Sequence, residues 1–147
     1  MKKITIIGLS VAILIACGLL IGHLAKVSKE RDEALRQRLA GVWLREEDNL
    51  PPVVGGAQSM RCTNIVAADG SFVELSWFSR PHRTNTYQRT GTWLVKNARL
   101  IETVKTSTNP VEVTPHSGNA RIVRADVGGF TLRWQNSEET TWQRVTQ

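Results

Sequence analysis

The chain has 147 residues, 41% of them hydrophobic, and a formal net charge of +6. That length supports one domain of ordinary size with an appendage, not a multidomain enzyme. The excess charge would suggest a nucleic-acid partner only if it were concentrated in the folded domain. It is spread out: Lys2 and Lys3 open the chain, residues 26–40 hold five basic and three acidic groups, and residues 41–147 hold twelve basic and ten acidic groups. No nucleic-acid role is expected.

Residues 4–25, ITIIGLSVAILIACGLLIGHLA, carry no formal charge and are almost wholly apolar. At about 1.5 Å per residue, such a run is just long enough to cross a bilayer core of about 30 Å. Residues 1–25 are therefore read as a membrane anchor or signal segment, with three alternatives. An uncleaved single-pass signal-anchor uses the whole run and is the first reading. A lipoprotein signal is the second, because LIAC at 14–17 has the form of a lipobox and would make Cys17 the lipidated residue. Simple cleavage is the third, and IGHLA is a poor cleavage site. All three place the remainder outside the cytoplasm. Cys62 is then the one cysteine of that remainder, which excludes an internal disulfide there and a cysteine-based metal site.

Residues 26–40, KVSKERDEALRQRLA, lack glycine and proline and favour helix. They are expected to continue the membrane segment as a helical stalk that Gly41 ends. Beyond it the hydrophobic period changes from 3.6 to 2, and eight strands are predicted: 41–46, 60–68, 71–78, 86–96, 98–106, 120–127, 129–135 and 139–145. ADGS at 68–71, KNAR at 96–99, VGGF at 127–130 and QNSEE at 135–139 supply tight turns, with Asn97 tolerating a left-handed backbone. Two longer loops, 47–59 and 107–119, contain prolines. Strand 129–135 puts Phe130, Leu132 and Trp134 on one face, and strand 71–78 puts Val73, Leu75 and Trp77 together, opposite Glu74 and Ser76.

A meander of this kind must close or stack to remove its edges. The expected fold class is all-β, an up-and-down antiparallel eight-stranded barrel over 41–147, with a two-sheet sandwich as the alternative. Gly91 shares a face with Trp93 and is read as a bend, a bulge, or a place where a neighbouring ring crosses the backbone.

The residues LAGVWLRE at 39–46, DGSF at 69–72, TGTWLVKNARLIETV at 90–104 and TTWQRV at 140–145 resemble lipocalin-like (calycin-type) small bacterial envelope domains. The resemblance implies that a first-strand tryptophan is covered by an arginine from the last strand, which falls here on Trp43 and Arg144. It also implies a bacterial inner-membrane protein with its domain in the periplasm.

Chemistry is sparse. His82 and His116 sit in loops, and neither is expected to hold a metal. No nucleophile-elbow, zinc-protease or phosphate-loop pattern is present. Glu102 and Asp126 are the carboxylates that alternate with apolar residues well inside long strands, and each is expected to face solvent or pair with an arginine. No enzyme, cofactor or metal is expected. The expected function is non-catalytic binding of a small hydrophobic or amphipathic ligand, with Trp77, Trp93, Trp134 and Trp142 lining the pocket and Arg83 at its rim. The alternative is a protein-interaction module (an envelope assembly factor, inhibitor or immunity protein) whose barrel is filled by side chains.

Overall fold

The structure, a computed structural model, describes residues 2–48, 50 and 56–146, with side chains from residue 15 onward. One helix, α1 (Lys2–Leu39), precedes eight strands: β1 (Gly41–Asp48), β2 (Ser59–Val66), β3 (Ser71–Arg80), β4 (Arg83–Lys96), β5 (Arg99–Ser107), β6 (His116–Ala125), β7 (Gly129–Arg133) and β8 (Glu139–Arg144). Each strand pairs antiparallel with the next, and β8 returns to β1, so the sheet is a closed up-and-down barrel. The sandwich alternative is thereby excluded, and the fold is compatible with a lipocalin-like domain. The proline pair of the 47–59 loop and the first part of the apolar run, as side chains, lie outside the described residues. Among the described residues, no helix is long and apolar enough to cross a membrane.

The eight predicted strands all form, with ends shifted by a few residues. The largest shift is at β6, which starts at His116 rather than 120 because Ser117 and His116 pair with Thr103 and Val104 of β5. HSGN has no apolar alternation, so only the ladder partner could reveal it.

The barrel ends differ. Turns β2–β3, β4–β5 and β6–β7 share one end with the C-terminus of α1, and this end is closed. Leu39, the last helical residue, is buried with Trp43, Val66, Phe72, Trp93 and Phe130. Polar stalk residues fasten it. Asp32 accepts the N–H groups of Asn97 and Ala98 at 2.7 and 2.9 Å. Both of these residues have positive φ, as a type I′ hairpin turn requires. Arg36 donates to the Ala68 carbonyl at 2.8 Å, and Arg38 to that of Ala125 at 3.3 Å. The stalk is thus bound to all three turns of this end.

Gly91 marks a bulge: the β4–β5 register slips between Thr90 and Gly91. A Cβ there would run into the Thr103 carbonyl oxygen and meet the Phe72 ring at 2.8 Å. The glycine therefore lets β4 bend while Phe72 lies across its backbone.

One face was expected the wrong way round. On β3 the inward residues are Phe72, Glu74, Ser76 and Phe78, whereas Val73, Leu75 and Trp77 face outward, half-buried. The register explains it: Glu74 sits opposite Arg89 of β4 and Phe72 opposite Gly91. An internal ion pair fixes the face that alternation alone assigned to the core.

Closure rests on Trp43, which is fully buried. Its indole N–H donates to the Leu39 carbonyl at 2.6 Å, its ring meets Phe130 edge-on at 4.7 Å, and the Arg144 guanidinium lies 4.3 Å from its centroid. Trp43→Ala is expected to cost about 3–5 kcal/mol. Trp43→Phe, which keeps most of the packing and loses the N–H, should cost about 1 kcal/mol from the hydrogen bond. Chemical denaturation of both variants checks this, and an unchanged midpoint for Trp43→Ala would overturn the closing role.

Candidate functional site

The end of the barrel opposite the stalk is open. Between the β5–β6 loop and the β7–β8 turn lies a cavity of about 400 Å³, within the range of small-molecule sites. The cavity has two unlike walls. Phe130 and Leu132 of β7, with Trp134 and Trp142, make an apolar wall. Glu74 of β3, Arg89 of β4 and Glu102 of β5, with Glu112 from the loop, make a charged one. β3–β4 and β7–β8 lie on opposite sides of the barrel, so the walls face each other.

The charged wall is built around Arg89. Its guanidinium reaches both Glu74 oxygens, at 3.1 and 3.2 Å, and Glu112 at 3.2 Å. Ser76 donates to Glu74 at 3.0 Å, Ser107 donates to Glu112 at 2.5 Å, and His116 lies 3.4 Å from Glu112. A planar guanidinium suits this two-sided carboxylate clamp. Arg45, at the mouth, is paired with Glu47 and lies 3.7 Å from Glu138. Glu102 has no hydrogen-bond or ion-pair partner among the described residues. Burial, reinforced by the neighbouring Glu74 carboxylate and only partly offset by Arg89, pushes its carboxyl up to about 7.

Among the described residues, two enclosed polar atoms of lining side chains also lack hydrogen-bond partners: Asn64 Oδ1, in a side chain 3% exposed, and Trp142 Nε1, in one 5% exposed. Buried polar atoms are ordinarily paired. Cys62, also lining the cavity, donates to Ser76 at 3.1 Å, and burial pushes its thiol up to about 11, so it is a protonated wall group.

The structure separates the four tryptophans expected to share a pocket. Trp134 and Trp142 line the cavity. Trp93 is buried in the closed end, donating to the Ala67 carbonyl at 2.9 Å, and Trp77 faces outward. Arg83 is exposed beside the β3–β4 turn at the open end and does not line the cavity. Glu102 faces inward, and Asp126 lies in the β6–β7 turn at the other end, where it accepts the N–H groups of Gly128 and Gly129. Among the described residues, no group of three His, Cys, Asp or Glu is placed to hold a metal. The charged wall went unrecognised in the sequence, although Glu74, Arg89 and Glu102 alternate with apolar or neutral residues in phase with inward positions of their strands.

No protein-family model matches the chain, and no curated protein matches it either.

Glu102 gives a pH signature. In the unfolded chain its carboxyl ionises near 4.5, and in the fold near 7. Between these values the folded state holds the extra proton, so stability falls as pH rises through the window. Arg89, Glu74, Glu112 and His116 are the charged or titratable groups around it. Glu102→Gln is expected to raise the melting temperature by on the order of 5 °C at about pH 8 and to leave it unchanged below about pH 4.5. Equal melting temperatures at both pH values would show that Glu102 is solvated.

Proposed function

We propose that this is a non-catalytic binding protein of the lipocalin-like kind, held at a membrane, whose barrel takes up a small amphipathic molecule through its open end. The observation that carries this reading is the two-walled cavity, with an aromatic side to accept an apolar body and a charged side to hold a polar end. Closure of the first strand onto the last through Trp43 and Arg144 supports the lipocalin-like assignment. The wide separation of Glu102 and Asp126, and the protonated state of Cys62, support a binding role over a catalytic one.

The membrane assignment rests on the apolar run 4–25. Ile15, Leu19, Leu20, Ile21 and Leu24 of α1 are all exposed, apolar and distributed around the helix, which suits a lipid surrounding. The domain then lies outside the cytoplasm, in the periplasm of a bacterial cell. With an uncleaved anchor, Cys17→Ser leaves the protein in the membrane fraction with its N-terminus intact. Loss of membrane retention in this variant, with lipid labelling of the wild type, would favour the lipoprotein alternative.

A second reading, a protein-interaction module, is favoured by the outer face of β1–β3. Val42, Leu44, Val73, Leu75 and Trp77 are half-buried there, beside Ile65 at 45% exposure.

Trp134 and Trp77 discriminate the two. Native mass spectrometry of the full chain purified from its host is expected to find a small-molecule adduct that Trp134→Ala reduces about tenfold, the effect of losing one aromatic wall contact. The same adduct should persist in Trp77→Ala. A bare chain mass, with a protein partner lost on Trp77→Ala, would support the interaction module instead.

A further inference from the structure

We propose that the polar end of the ligand is an organic ammonium group, held by Glu102. This deepens the binding reading above and rests on it. The charges of the cavity decide the sign. Five charged side chains line it: Arg45, Glu74, Arg89, Glu102 and Glu112. Both arginines are committed, Arg89 to Glu74 and Glu112, and Arg45 to Glu47 and Glu138. Among the described residues, Glu102 is the charge left without a partner. An anionic group would meet three carboxylates and no uncommitted guanidinium. A neutral hydroxyl would leave the carboxylate uncompensated, a costly arrangement in a partly desolvated site.

An ammonium resolves both defects. It has several N–H donors and no acceptor, which matches a carboxylate. The facing indole of Trp134 and phenol of Tyr87 add a surface on which a cation is favoured. The raised ionisation of Glu102 is consistent with a carboxylate waiting for such a counter-charge. Free amines and aminolipid headgroups share this chemistry.

The test is calorimetric titration of the full chain with three probes of equal length: hexylammonium, hexan-1-ol and hexanoate. Binding that persists unchanged in Trp134→Ala is subtracted as background. Hexylammonium is expected to bind about tenfold more tightly than hexan-1-ol, the equivalent of one charge-assisted hydrogen bond. The preference should vanish in Glu102→Gln, a variant that relieves rather than creates a buried charge and so keeps the fold. Equal binding of the alcohol, or tighter binding of hexanoate, would overturn the ammonium inference and leave the small-molecule reading standing. Failure of all three probes to bind the wild type would overturn both. The mass of the adduct carried from the host separates the two sources: a small free amine or an aminolipid supports the inference, and a molecule without a basic nitrogen overturns it.

Discussion

The Arg144 guanidinium occupies the one place where the helix, the first strand and the last strand meet. It stacks on Trp43 and donates to the carbonyls of Arg38 and Ala40 at 2.7 and 3.3 Å. These carbonyls end α1 and have no helical donor, so a cation there satisfies them and favours the helix dipole. Trp43 does the same for Leu39. The space comes from Gly41, whose φ of +149° leaves a Cβ position only 2.7 Å from the Arg144 Nη1. A side chain at 41 would force the arginine head group to shift from its place beside these carbonyls. Stalk and barrel are therefore one cooperative unit, and Leu39 belongs to the barrel core as much as any strand residue.

With one end plugged, the interior divides by height. Near the plug it is a packed aromatic and aliphatic core. Above it, the inward positions of β3, β4 and β5 become Glu74, Arg89 and Glu102. Burying such groups is unfavourable unless each is paired. Arg89 is paired on both sides, whereas Glu102 is not. A filled apolar barrel would be more stable, and under the proposed binding function the charged wall is a cost carried for a ligand, like other local departures from a consistent core.

Sequence legibility follows the same division. Turn chemistry and period-2 alternation identify all eight strands, because hairpins are local. The Trp43–Arg144 pair was reachable only through a family resemblance, since nothing local links residues a hundred positions apart. The site was half legible. Trp134 and Trp142 alternate with polar neighbours and point inward as expected. Trp77 does not, because β3 has apolar residues on both faces and its orientation depends on the Glu74–Arg89 pairing. Trp93 is inward but on the plugged side, a distinction of height that alternation cannot express. Glu102 became visible as a site group only when its missing partner could be seen.

The antiparallel meander also fixes how the two ends relate to the chain. Each strand reverses direction, so the end holding α1 carries the β2–β3, β4–β5 and β6–β7 turns, and the mouth carries the β5–β6 loop at 108–115. If α1 holds the protein at a membrane, the mouth faces away from that surface. A ligand would then reach the cavity from the aqueous side, past Asn109 and Val111 of the β5–β6 loop, without crossing the lipid boundary. The same Glu112 that clamps Arg89 sits in this loop. Glu112 therefore ties the loop at the mouth to the charged wall through its ion pair with Arg89.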